Sequence, residues 1–307
     1  MKVTKQIGLS TLIVFIVGLI GYTLFSFNGK IASSGAPIVT VSTFALSQTA
    51  NAVAGDRLNI QTIVPLGSDP HIFSPNPTQV AELSKSKLFI YNGAGFETWA
   101  EVIKTTLPET IRVINMSEHV TLLKHSEYGH AENHDPHYWL DIDNMIKMTK
   151  TLDIEFSKLL PSSAEKFHQN ATNYITALIA LKSEFSIGLA ECKNRMLISN
   201  HNAFGYLAHA NRLENISVIG LSSDEQPSAK TIASMIETIK EHKIKSIFFE
   251  ELVNDNVSQT IAHETGVKAV ALQPLENISQ DALKSHQTYL SIMRENLQKL
   301  REAMECH

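Results

Sequence analysis

Three of the thirteen histidines in this 307-residue chain, His71, His137 and His201, stand where chemistry is usually done. His71 sits in a loop, Pro65-Leu66-Gly67-Ser68-Asp69-Pro70, that follows an apolar run at 58–64. His137 lies in the loop after the first half of the chain, and His201 comes directly after a run at 195–199 that reads as a strand. A neutral imidazole offers a nitrogen lone pair to a metal ion, and its proton exchanges near pH 6.5. A single loop histidine usually does neither. Three of them, drawn from both halves and each in or near a loop after a strand, have the placement expected of a site between two lobes.

The elements that must position them alternate. Strands are expected at 38–42, 58–64, 87–91 and 112–115, with helices at 45–54, 78–84 and 96–106. After the middle of the chain the pattern resumes, with strands at 195–199, 216–219, 245–249 and 268–272. Helices are expected there at 203–210, 227–242 and 256–265, and a last long one at 281–304. Strands alternating with helices predict parallel sheets covered on both faces. Between the halves, Ser162 and Glu165 have the spacing of a capping box. Phe167, Ala171, Tyr174, Ile175, Leu178, Leu181 and Phe185 then recur at helical spacing. A helix at 163–191 would be roughly 40 Å long at 1.5 Å per residue. The fold class is therefore α/β: two lobes, each with a mostly parallel sheet flanked by helices, joined by one long rigid helix.

The domain plan follows. Residues 1–27 carry Lys2 and Lys5 before an apolar run at 7–27 and read as a signal peptide or a membrane anchor. No cysteine lies beside that run, which argues against a lipid anchor, and no sharp cleavage site follows it. Residues 28–37 are a linker, 38–160 the N-terminal lobe with a short His-rich loop at 119–137, 161–191 the linking helix, and 192–307 the C-terminal lobe. The segment 1–27 implies an extracytoplasmic body. A net charge of −5 with no basic run excludes a nucleic-acid footprint. Two cysteines, Cys192 and Cys306, are too few for a four-thiolate zinc site, and in an oxidising compartment they could pair or stay free.

Four stretches together resemble the zinc and manganese solute-binding proteins of ABC importers. They are Gly67-Ser68-Asp69-Pro70-His71 with Pro75-Asn76-Pro77-Thr78, then Asp135-Pro136-His137-Tyr138-Trp139-Leu140-Asp141. The third is Ser199-Asn200-His201-Asn202-Ala203-Phe204-Gly205-Tyr206-Leu207, and the fourth runs from Pro227-Ser228 to Ile247-Phe248-Phe249-Glu250. The resemblance covers about 37–306, nearly the whole chain after the linker. It implies metal ligands at His71, His137 and His201, a disulfide between Cys192 and Cys306, and a monomer that hands its ion to a membrane permease powered by a separate ATPase. In this family a glutamate at the third ligand goes with manganese and a histidine with zinc, so His201 implies zinc. Imidazole nitrogen also suits zinc better than manganese, although copper or nickel would bind the same set.

One departure concerns the fourth ligand, often an aspartate in an Asp-Pro-Leu stretch, where this chain reads Gln273-Pro274-Leu275. The candidates are Gln273, a water, or a displaced carboxylate such as Glu250 or Glu225. Of these, Glu250 reads better as a carboxylate supporting the site from beneath than as a ligand. A cluster of His125, His130 and His134, with Glu127, Glu132 and Asp135 interleaved, matches the place where zinc members carry an acidic His-rich loop that captures metal. Affinity should fall as pH drops through about 6.5, and closure should be small because the long helix stiffens the pair of lobes. A zinc hydrolase or hydratase using three histidines and an open position is the rival from another class, although no H-E-x-x-H occurs. A metal-dependent surface adhesin is the third reading.

Overall fold

Two four-stranded parallel sheets carry the structure, a computed structural model that describes residues 35–125, 133–251 and 256–307. The signal or anchor reading of 1–27, most of the 28–37 linker, and His130 lie outside the described residues. Among the described residues, no helix is long and apolar enough to cross a membrane. Residues Ala32–His307 form a single unit.

The first sheet contains β1 (Ile38–Val41), β2 (Asn59–Thr62), β3 (Leu88–Tyr91) and β4 (Arg112–Asn115), in the order β2-β1-β3-β4. A two-stranded antiparallel ribbon, β5 (Lys124–His125) with β6 (Asn133–His134), follows it. The second sheet contains β7 (Met196–Ser199), β8 (Glu214–Ser217), β9 (Ser246–Phe249) and β10 (Lys268–Ala271), in the order β10-β9-β7-β8. β3 is buried along its whole length, as a central parallel strand covered on both faces must be.

The long helix expected between the lobes is Ala164–Gly188, and it does not stand alone, because a second helix lies against it. Ile142–Leu159, which the sequence reading left unassigned, packs alongside Ala164–Gly188. The latter has 25 residues, roughly 37 Å at the usual rise. It buries Phe167, Ala171, Tyr174, Leu178, Leu181 and Phe185, a stripe of alternating three and four residues. The expected capping box does not form. Pro161–Ser163 makes a 3-10 turn, and Ser163 enters the helix without a side-chain cap.

The expected helix at 281–304 is two. Gln280–Lys284 ends at a turn in which His286 has φ 56, and Tyr289–Ala303 restarts after Thr288. Thr288 and Ser291 exchange side-chain and backbone bonds there, so the restart is locally capped. The helix at 227–242 is Ala229–Glu241, with Ser228 accepting from Thr231 N and Pro227 just outside.

One apolar core runs through both lobes, from Val39 and Leu46 through Trp139, Leu178 and Phe204 to Leu300. Smaller clusters back the outer face of each sheet, around Phe89 and Trp99 in the first lobe and Ile198 and Ile247 in the second. Cys192 and Cys306 form a disulfide that ties the last residues of the chain to the start of the second lobe. The neighbouring pair His307 N to Glu191 O, at 3.0 Å, continues that tie.

Candidate metal centre

Each loop that carries a candidate ligand is fixed by its own chemistry. In the His71 loop the Asp69 carboxylate turns back to accept from His71 N at 2.9 Å, and its other oxygen accepts from Ser223 of the second lobe at 2.6 Å. In the His137 loop Asp135 Oδ1 accepts from both His137 N and His137 Nδ1, at 2.9 and 2.8 Å. His201 follows β7, and its Nδ1 bonds Glu250. In both His137 and His201 a carboxylate holds Nδ1, which leaves Nε2 as the free donor atom.

These three histidines come together, and a fourth residue joins them. The second lobe's loop after β10 brings Glu276 into the cluster, with Oε1 3.0 Å from His137 Nε2 and 3.4 Å from His71 Nε2. His201 Nε2 is 3.4 Å from His137 Nε2. One ligand atom from each of His71, His137, His201 and Glu276 lies within 4.8 Å of every other. Bonds of about 2.0–2.1 Å around a tetrahedral zinc put neighbouring ligand atoms roughly 3.3–3.4 Å apart. The short edges of this cluster are already close to that figure.

The residue that the structure brings beside the three histidines is Glu276, not Gln273, Glu250 or Glu225. The Gln273 side chain donates to Glu251 at 2.7 Å, and its backbone is bracketed by Asn296. Glu250 is spent on His201, and Glu225 accepts from Gly220 N at 3.1 Å. Glu276 had a legible signal. It is the only titratable residue between the end of β10 and the helix Gln280–Lys284, in the post-strand loop where the rule for parallel sheets says to look.

The first lobe holds the Glu276 loop in place. Phe44 N, at the start of the helix Phe44–Ala54, donates to Glu276 O at 3.0 Å. Trp139 Nε1 donates to Pro274 O at 2.7 Å, and Asn277 Nδ2 donates to Pro65 O and Ser68 O at 2.7 and 2.8 Å. Leu275, buried, has φ 63, a conformation that costs of order 1–3 kcal/mol and persists where its surroundings over-determine it.

Phe96 forms an apolar wall that the sequence reading did not identify. Its ring meets His71 edge-on at 4.6 Å and Trp139 at 5.2 Å. Glu97, fully buried, holds that turn by accepting from Asn92 N, Asn92 Nδ2 and Gly93 N at 2.8–3.0 Å. Burial keeps the Glu97 carboxyl above the usual carboxylate range, against the pull of those donors. Gly93 has φ 77, and a Cβ there would overlap Asn115, so glycine is required on both counts.

Buried carboxylates govern the electrostatics of the cluster. Burial alone would lower the proton affinity of His71, but the Glu276 carboxylate outweighs it and the net shift is upward. Burial also works against charge on His137, yet Asp135 and Glu276 raise it to about 10. Glu276 is driven well below the usual carboxylate range by the same two imidazoles, in spite of its burial. Three carboxylates, Glu276, Asp135 and Glu250, thus contact imidazoles of the cluster. Of the His-rich segment, the described part is the ribbon β5–β6, which carries His125 and His134. Neither belongs to the four-residue cluster.

Comparison with known proteins fits this geometry. Residues 39–303 match the model of the family described as ZnuA, the periplasmic zinc-uptake complex component A. The chain belongs to this family. It is 32% identical over 289 residues to the zinc-binding lipoprotein AdcA of Streptococcus pneumoniae, covering 91% of this chain and 58% of that one. It is 29% identical over 291 residues to the high-affinity zinc uptake system protein ZnuA of Bacillus subtilis, covering 91% of each. The chain thus spans a little over half the length of the AdcA relatives it matches. Among solved structures, the Zn(II)-bound ZnuA-like domain of S. pneumoniae AdcA superposes with a TM-score of 0.77 at 30% identity. That match covers 88% of this chain and all of the domain.

Proposed function

We propose that this member of the ZnuA family is an extracytoplasmic receptor that captures zinc between its lobes and delivers it to the permease of an ABC importer, whose separate ATPase supplies the energy. The observation that carries the reading is the convergence of His71, His137, His201 and Glu276 within 4.8 Å of one another. Three neutral nitrogens and one carboxylate oxygen suit zinc, whereas manganese and magnesium favour oxygen-rich sets. His71 and His137 come from one side of the long helix, and His201 and Glu276 from the other, so the ion is clasped by both lobes. The names of the relatives, a zinc-binding lipoprotein and a zinc uptake protein, and the Zn(II)-bound state of the solved domain point the same way.

The same geometry favours carriage over catalysis. A catalytic zinc keeps a corner for water, and here Glu276 takes the fourth corner. The protein acts as a monomer, and the segment 1–27 directs export, as a cleaved signal or as a retained anchor. The His-rich segment with His125, His130 and His134 collects metal ahead of the main site. The test is competition: protein stripped of metal is titrated with zinc and with manganese. One equivalent of zinc bound far more tightly than manganese supports the reading. Tighter manganese, or ester hydrolysis that is lost in His201→Ala, refutes it.

A further inference from the structure

His137 owes its orientation to both lobes. Its Nδ1 and its backbone N share one acceptor, Asp135 Oδ1, which sets the ring with Nε2 toward Glu276 and His201. Asp135 is only 4% exposed, so its carboxylate has no easy escape into solvent. The second oxygen of that carboxylate lies against Gly205, the first residue of the helix Gly205–Ala210 in the other lobe. A Cβ added to Gly205 would come 2.6 Å from Asp135 Oδ2, well inside the roughly 3.5 Å at which non-bonded heavy atoms pack.

The backbone does not demand glycine there. Gly205 is not among the positive-φ glycines, so its backbone lies where an L side chain is admitted. Space is the remaining reason. The next residue reinforces the contact. The Tyr206 hydroxyl donates to Asp135 O at 2.8 Å and accepts from Leu123 N at 2.8 Å.

We infer that Gly205 and Tyr206 form a seat for Asp135, and that Gly205 is a positioning residue for zinc capture. The absent methyl group lets the carboxylate of one lobe settle against the other, and only there does it aim His137. The orientation of a ligand borne by the first lobe is therefore completed by the second, so a separation of the lobes would loosen His137 as well as part the two pairs of ligands. The functional half of this inference rests on the zinc reading above, whereas the seat itself does not.

The experiment uses the full chain with Gly205→Ala, Asp135→Ala and the two combined. Zinc affinity is measured by competition with a chromophoric chelator. In metal-free protein labelled with nitrogen-15 at histidine, the Nδ1 resonance of His137 is followed separately. Gly205→Ala should weaken zinc binding about 10–100-fold, the usual cost of losing a partner that orients a ligand, and should shift the Nδ1 resonance. With the carboxylate already gone the methyl has room, so the double variant should bind zinc no more weakly than Asp135→Ala alone.

Parental affinity and an unmoved resonance in Gly205→Ala overturn the inference, as do two penalties that simply add. If Gly205→Ala does not fold, the double variant and Tyr206→Phe carry the test. A fold restored by Asp135→Ala and a shifted resonance in Tyr206→Phe support the seat, and an unshifted one overturns it. A parent protein that binds no zinc, with the resonance still moved by Gly205→Ala, leaves the seat standing and removes the zinc reading.

Discussion

The third strand of each sheet is followed by a buried carboxylate. In the first lobe it is Glu97, in the turn after β3; in the second it is Glu250, directly after β9. The two sheets have the same strand order read from opposite edges, so the two acids occupy matching places in matching lobes. Their work differs. Glu97 is spent on the protein's own amides, and what it delivers to the site is the Phe96 ring. Glu250 is spent on His201, and what it delivers is an imidazole of the four-residue cluster. A repeated fold therefore supplies equivalent positions, and the side chain each acid meets decides whether the position supports the wall or aims a ligand. The ligand loops are similarly unequal. The first lobe contributes from the loops after its second and fourth strands, the second lobe from those after its first and fourth.

The largest effect expected lies outside this matched pair. Glu276→Ala removes the sole carboxylate of the cluster and should weaken zinc by more than the 10–100-fold typical of residues that only orient ligands. Glu97→Ala should not approach that loss, and if the two variants bind alike the division of labour between the loops is wrong.

The pair itself is separated by one isosteric change and one truncation. Glu250→Gln should cost zinc affinity about 10–100-fold and leave the melting temperature of the metal-free protein nearly unchanged. Glu97→Ala should do the reverse. It strands buried amide donors at Asn92 and Gly93 and should lower stability by about 1–3 kcal/mol, with a much smaller effect on zinc. Calorimetric melting and chelator competition on both variants would expose any crossover.

The pH dependence is smaller and sharpens the same contrast, because the acid near the metal acts on imidazoles. On the proposed site, zinc displaces protons from His71 and His137, whose proton affinities are raised. Apparent affinity should therefore keep rising with pH beyond 6.5, toward the value of about 10 for His137. For folding of the metal-free protein, the raised His137 contributes stability that is full below about 6.5, its unfolded value, and is lost as pH climbs through about 10. The depressed Glu276 contributes stability present above about 4.5, its ordinary carboxylate value, and lost as pH falls through its low folded value. Titration calorimetry in buffers of different ionisation enthalpy should show proton release on zinc binding at pH 7. Binding without proton release would place the metal elsewhere.

Much of the fold can be read from the chain because its central strands are short apolar runs such as Leu-Phe-Ile-Tyr at 88–91, bounded by turn residues. The break between Gln280–Lys284 and Tyr289–Ala303 is not readable in that way. Thr288 caps the restart with Ser291, which lacks the Glu or Gln signature of a capping box, and the apolar spacing continues across the gap. At the site, His71, His137 and His201 stand out because they follow strands in both halves. Glu276 is harder to read, because the resembled stretch puts Gln273 at the expected position and the carboxylate comes three residues later. The positive φ at Leu275 shapes the chain immediately before Glu276, and no spacing rule announces it. Gly205 was equally silent, since its purpose is room for a side chain seventy residues away in sequence.

The most direct test of the central claim is zinc-edge X-ray absorption on the full chain loaded with one equivalent of zinc, alongside Glu276→Gln. The account predicts three imidazole nitrogens and one carboxylate oxygen at about 2.0–2.1 Å in the parent, with the oxygen contribution altered in the variant. A parent spectrum with fewer than three imidazoles, or one that Glu276→Gln leaves unchanged, would contradict it.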